Sequence, residues 1–300
     1  MSAATETGPR QAPPGPRHLS LREWLDIFRQ TLKRFVADDC MGLAHQVAFS
    51  ALLAFFPSVI LLIGLLGLFG SGAFDSVERF VGSVAPHSVV SMIDLARKDA
   101  AGDKSRSAIA LAAGVLGALW VASGAMGAVI KAVNRAYEQV ETRPFWRVRL
   151  IALVLVAATG LVIAGVFLLI VFGGSLGEAI VRRTALGANF KAFWDIARWP
   201  IAFAAVLLFF AFVYYLAPDT KQRWRWISPG SLVGSLMWLV LSGLFFLYTS
   251  FSSSYDRTYG SLAGAIVLLL WLNYSAWAIL FGAELNAEVD RRRSTAPRRR

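Results

Sequence analysis

Apolar and polar residues follow one another along this chain in two different rhythms. From Leu21 to Val36 the apolar positions Leu21, Trp24, Leu25, Phe28, Leu32, Phe35 and Val36 recur at helical spacings, with Arg22, Arg29, Lys33 and Arg34 on the flanks. That period predicts an amphipathic helix. Ser20-Leu-Arg-Glu23 at its head has the spacing of a capping box, in which serine and glutamate each satisfy a backbone donor. Such a helix rests either in the membrane interface or against the protein's own cytoplasmic face. Elsewhere the apolar residues run on with no polar face, at about 43–69, 108–130, 150–172, 200–217, 227–248 and 261–285. A helix needs about 20 residues, at ~1.5 Å each, to cross ~30 Å of hydrocarbon, so these runs predict six transmembrane helices. The expected fold is all-α, a polytopic membrane bundle with an N-terminal amphipathic interfacial helix.

Residues 1–19, rich in Pro, Gly and small polar side chains, are expected to form a disordered tail. Residues 20–290 form one membrane domain and 291–300 a basic tail. Between the first two spans, residues 70–107 are mixed in charge. Val77, Phe80, Val81 and Val84, then Val89, Val90 and Ile93, predict short amphipathic helices beside Pro86. Residues 174–196 read as a second substantial loop on the same side, with Phe190, Phe193 and Trp194 as interfacial anchors.

A hydrophobic content of 56% in 300 residues excludes an ordinary soluble domain. The net charge of +11 raises nucleic-acid binding as a reading, but the distribution of the charge favours topology. If both termini are cytoplasmic, that side carries 20 of the 30 Lys and Arg. The basic segments are then expected to meet anionic lipid of the inner leaflet, with no nucleic acid as partner. A homo-oligomer is compatible with the composition. Cys40 is the only cysteine, which excludes an intrachain disulfide and a thiolate metal cluster. Some forty mostly polar residues precede the first apolar run, so that run is expected to insert as an uncleaved signal.

Several stretches carry a more specific signal. They are Ala44-His-Gln-Val-Ala48-Phe-Ser-Ala-Leu-Leu-Ala-Phe-Phe-Pro57, Leu119-Trp-Val-Ala-Ser123 and Ala132-Val-Asn134-Arg-Ala-Tyr137-Glu138. Tyr215-Leu-Ala-Pro218, Trp226-Ile-Ser-Pro229-Gly230, Tyr259-Gly260-Ser261 and Gly282-Ala-Glu-Leu-Asn286-Ala-Glu288 continue the series. In this order, over roughly residues 30–290, the set resembles the YihY/BrkB family of bacterial membrane proteins, whose older members carry the name ribonuclease BN. The resemblance implies a six-helix protein of the bacterial inner membrane, with transport or export the usual suggestion and no established substrate.

The nuclease name finds no support in residue types. A metal-dependent ribonuclease needs His, Asp and Glu clustered to hold divalent ions beside a phosphate. The histidines are His18, His45 and His87, far apart in sequence, and Asp38-Asp39 is the only acidic pair, expected to begin or end a helix. No P-loop, G-x-S-x-G or HExxH run occurs either. The chain is therefore expected to be neither an enzyme nor a cofactor or metal protein.

Transport chemistry is narrowed by what the spans lack. None carries Asp, Glu, Lys or Arg near its centre, which argues against coupling through a midplane carboxylate. The polar groups gather at the cytoplasmic depth instead. His45, Gln46, Asn134, Tyr137, Glu138, Glu284 and Asn286 fall there, with Asn134, Tyr137 and Glu138 spaced as one face of a helix end. They form a candidate cytoplasmic vestibule or gate, with Arg135, Arg147 and Arg149 nearby in sequence. The plainer reading is that they staple the bundle, Glu284 pairing with an arginine of the 131–149 loop. His45 alone reads more simply as a local or headgroup hydrogen-bonding group. Asn273 is the candidate mid-membrane polar contact, where an interhelical hydrogen bond averages about 0.6 kcal/mol. Pro57 is the candidate kink of the first span. Gly230, Gly234, Gly260 and Gly264, and Gly114, Gly117, Gly124 and Gly127 in the second span, predict close helix contacts. The leading reading is a transporter or exporter of an unidentified substrate. The alternative is a scaffold that organises lipids or envelope proteins.

Overall fold

The computed structural model describes residues 20–68, 104–171, 173–174, 187–220, 226–251 and 263–295. Among these residues seven helices follow in order: α1 Leu21–Ala37, α2 Cys40–Leu68, α3 Lys104–Ala136, α4 Phe145–Val171, α5 Gly187–Leu216, α6 Pro229–Phe251 and α7 Ala263–Thr295. No strand occurs among the described residues. Among the described residues five helices are long and apolar enough to cross a membrane, over Val115–Ala136, Phe145–Ile170, Phe190–Leu216, Pro229–Thr249 and Gly264–Arg293. The shorter apolar stretch Cys40–Phe55 begins α2. The expected structures in 70–103, the histidines His18 and His87, and the Tyr259-Gly260-Ser261 motif lie outside the described residues.

α7 is the hub, packing against α1, α2, α3 and α6, while α4 packs against α3 and α5. Its stripe Asn273, Leu280, Glu284, Leu285 and Glu288 is buried, so these polar groups face protein. The capping box of α1 forms as expected: Glu23 N–H donates to Ser20 Oγ at 3.3 Å and Ser20 N–H to Glu23 Oε2 at 2.6 Å. Hydrogen bonding from Ser20 holds the Glu23 carboxyl below its ordinary range. α1 buries Ile27, Thr31 and Phe35 on one side and leaves Leu21, Leu25, Phe28, Leu32 and Val36 exposed on another. The buried side meets Leu285 and Val289, and Phe28 and Phe35 pack edgewise or tilted on Phe281 of α7. Asp38 ends α1, and Asp39, at φ 51°, starts α2 by accepting from Gly42 N–H at 3.3 Å. Aspartate tolerates this left-handed backbone better than most residues.

Three boundaries differ from the pattern-based expectation. α5 begins at Gly187 and runs through Pro200, so much of the expected 174–196 loop is helical. A proline removes one backbone donor, yet here the turns before Pro200 belong to the same helix. Phe190 and Trp194 stack there, and Trp194 Nε1 donates to Gly173 O at 2.7 Å, tying α5 to the end of α4. α7 continues to Thr295, making Arg291, Arg292 and Arg293 helical, with carboxylates three or four residues back as partners. α3 ends at Ala136, which leaves Tyr137 and Glu138 beyond it. α2, by contrast, runs through Pro57 as one helix.

α6 and α7 approach closely at a pair of glycines. A Cβ at Gly230 would collide with Gly282 O and lie 2.6 Å from Asn286 Cγ; one at Gly282 would lie 2.6 Å from Gly230 O and collide with Tyr214 Oη. Tyr214 Oη donates to Ile279 O at 2.8 Å, adding α5 to the same crossing. Gly117 and Gly127 of α3, expected at close contacts, face open space.

Candidate functional site

Where α1, α2, α3 and α7 meet, three glutamates lie against two arginines. Glu284 and Glu288 lie one turn apart on α7, and Arg291 follows on the same face. The Glu284 side chain is fully buried, with Cys40 Sγ 3.6 Å from its Oε1 and Arg291 Nη2 3.8 Å from its Oε2. Arg291 also reaches Glu288 at 3.3 Å and Glu138 at 2.8 Å. Arg34 of α1 repeats the bridge from the other side, pairing with Glu138 and, at 3.4 Å, with Glu288. Arg135 pairs with Asp38 at 3.4 Å. Glu138 is the exposed keystone of this network, and its φ is 55°. A glutamate held left-handed costs on the order of 1 kcal/mol. Two guanidinium partners offset that strain.

A second network ties the α3–α4 connection to the end of α5. Asn134, buried in the last turn of α3, donates from Nδ2 to Glu141 Oε2 at 2.8 Å and accepts from Asp219 N–H at 2.7 Å. Arg143 donates to Glu141, to Leu216 O at 3.2 Å and to Ala217 O at 2.8 Å, closing carbonyls that the end of α5 leaves open. Asp219 Oδ2 accepts from Thr142 N–H at 2.8 Å and from Thr142 Oγ1 at 2.5 Å. The hydrogen bonds from Arg143 hold the Glu141 carboxyl below its usual range, and those from Thr142 do the same for Asp219. Depressed folded-state values mean stability that is present above the unfolded values of about 4 and is lost as pH falls through the lower folded ones. Acidifying from pH 6 to 3 should therefore lower the unfolding midpoint in detergent, and Asp219→Asn should flatten that acid limb. An acid limb of unchanged steepness in the variant would remove Asp219 from the lock.

The structure divides the expected vestibule residues. Glu138 and Glu284 share the Arg291 network, and Tyr137 is buried in the core beside it. Asn134 belongs to the second network. Asn286 serves the helix crossing, accepting from Gly230 N–H at 2.8 Å and donating to Ser228 Oγ at 3.0 Å. His45 and Gln46 are exposed, because α2 buries Ala44, Val47 and Ala48 instead. The helical face expected for Asn134, Tyr137 and Glu138 does not form, since α3 stops before the latter two. Glu284 pairs with Arg291 of its own helix and not with an arginine of the 131–149 loop. Asn273 is buried, and its Oδ1 has no hydrogen-bond partner among the described residues. Sequence reasoning missed Arg34, Glu141, Arg143, Asp219 and Arg291. Only Arg291 had a legible signal, its spacing from Glu284 and Glu288 on one helical face.

Among the described residues no three His, Cys, Asp or Glu side chains gather to hold a metal ion. A family model described as Virulence factor BrkB matches residues 31–300. The chain is similar to the ribonuclease-like protein YfkH of Bacillus subtilis (strain 168), 29% identical over 90% of this chain and 97% of that one. It is also similar to a UPF0761 membrane protein of Chromohalobacter salexigens, 28% identical over 91% of this chain and 66% of the relative. A UPF0761 membrane protein of Xanthomonas campestris pv. campestris (strain B100) is 24% identical over 86% of this chain and 59% of its own length. The chain thus spans nearly all of the Bacillus relative and about two thirds or less of the UPF0761 proteins. No solved structure matches.

Proposed function

The chain belongs to the virulence factor BrkB family, and on that premise we propose that it is a non-enzymatic inner-membrane transporter or exporter whose charged end is a closed gate. α2, 29 residues long, counts as the first of six spans, since at ~1.5 Å per residue it reaches beyond ~30 Å. An even number of spans puts both termini on one side, and the excess of Lys and Arg assigns that side to the cytoplasm. α1 then lies along the inner leaflet, its exposed Leu21, Leu25, Phe28, Leu32 and Val36 in lipid and Arg22, Arg29 and Lys33 at the headgroups.

The observation that carries the gate is Glu284, fully buried within a membrane helix, with Arg291 at 3.8 Å and the Cys40 thiol at 3.6 Å. A buried charge in a membrane bundle is expensive and is a functional group by default. Arg34 and Arg291 each bind glutamates on two chain segments, so α1, α7 and the end of α3 open only together. Glu138→Gln removes the residue that both arginines share. The gate reading expects amide exchange across Leu21–Ala37 to speed by about tenfold in lipid nanodiscs. Unchanged exchange would favour the second reading, a scaffold. One observation favours that reading: Val129, Ile130, Val133, Leu280 and Phe281, on the turns next to Asn134 and Glu284, belong to one buried apolar cluster.

A further inference from the structure

Arg149 stands apart from the arginines of both networks. Arg34, Arg135, Arg143 and Arg291 each meet a carboxylate. Among the described residues Arg149 meets none, although it lies within the apolar stretch Phe145–Ile170 of α4. Its Nη2 donates to Trp120 O of α3 at 3.0 Å, yet its Nε is buried without a hydrogen-bond partner. The guanidinium lies 4.0 Å from the Trp120 ring centre and 5.9 Å from that of Phe145. Gly124 provides the room, its missing Cβ position being 3.7 Å from Arg149 Nη1. The surroundings are open: Trp120, Phe145, Trp146 and Leu116 are each more than 60% exposed.

A guanidinium at the apolar surface of a membrane helix is costly without an anion, and aromatic faces only partly replace one. The anion that a bilayer presents to such a surface is the phosphate of its own lipids. Arginine binds phosphate through a planar fork of donors, and Trp120 O takes one of the two Nη2 hydrogens. Trp146, exposed at the start of α4, suits the headgroup boundary, where an amphipathic ring has one wet and one apolar end. We propose that the α3–α4 seam binds one anionic phospholipid, its phosphate on Arg149, its glycerol region against Trp120 and Phe145, and an acyl chain along Leu116.

The test uses the full-length protein in detergent, with phosphatidylglycerol as the probe and phosphatidylcholine as the control, read by native mass spectrometry. Wild type should retain one phosphatidylglycerol through delipidation. Arg149→Leu should weaken its retention at least about tenfold, and Arg149→Lys by less, since a lysine keeps the charge but loses the fork. Trp120→Leu keeps the arginine and should weaken retention severalfold, which maintains the test if Arg149→Leu does not fold. Added phosphatidylglycerol should raise the unfolding midpoint of wild type and not that of Arg149→Leu. Three results would overturn the proposal: equal retention by wild type and Arg149→Leu, displacement of the lipid by millimolar inorganic phosphate, or a lower midpoint in Arg149→Leu that keeps the full lipid-dependent shift. The last would make Arg149 a staple between α3 and α4 only.

Discussion

Gly230→Ala is expected to leave little or no folded protein, although it adds a single methyl group. The new Cβ would fall on Gly282 O, backbone that cannot swing aside, and 2.6 Å from Asn286, whose amide already holds Gly230 N–H and Ser228 Oγ. Separating α6 from α7 by even a fraction of an ångström also strains the Tyr214 hydrogen bond to Ile279 O. Overpacking commonly costs about 1–3 kcal/mol, and this position, closed on two sides by backbone and amide, belongs at or above the upper end. Size-exclusion of a fluorescent fusion in mild detergent would measure it as loss of the monodisperse peak. Gly117→Ala is the matched control, because nothing lies within 4 Å of its Cβ position; a helical glycine-to-alanine change there should gain up to about 1 kcal/mol. If both variants behaved alike, close approach would not be what this crossing requires.

Arg291→Ala should produce the second large effect. The substitution strips Glu284 of its guanidinium partner at 3.8 Å, and takes one from Glu288 and one from Glu138. Breaking a buried pair costs about 3–5 kcal/mol; with the Arg291 side chain 26% exposed, roughly 2–3 kcal/mol is the fitting expectation. That corresponds to a fall in unfolding midpoint of roughly 5–10 °C. The cost arises from the orphaned carboxylate, so Arg291→Ala combined with Glu284→Gln should recover most of it. A double variant as unstable as the single one would mean that Arg291 acts through Glu138 and Glu288 and not through Glu284.

The helices were legible from the sequence because membrane spans and a capping box depend on local patterns. The Ser20–Glu23 cap forms from residues three apart, and the apolar runs contain their own hydrogen bonds. Ends were less legible. The apolar run begins at 200 although α5 begins at Gly187, and the run that ends near 285 gives no sign that Arg292 and Arg293 continue α7 and pair with Glu288 and Asp290. The site was legible in composition but not in pairing. Glu138 and Glu284 were marked as polar groups at one depth, yet Arg34 meets Glu138 across more than a hundred residues, a contact that no spacing rule reaches. His45 and Gln46 were grouped with them by depth alone. The small residues Ala44 and Ala48, one turn apart, already indicated which face of α2 would pack inward.

The gate can be tested with a native probe, because the chain's only cysteine lies inside it. Cys40 is fully buried, 3.6 Å from Glu284, where a closed gate hides it from water. Inside-out membrane vesicles exposed to a membrane-impermeant maleimide would report whether that thiol is ever reached from the side carrying α1. The account predicts slow but complete modification of native protein, accelerated by Glu138→Gln. A thiol that stays unmodified for hours in both proteins, while urea-unfolded protein labels at once, would contradict it.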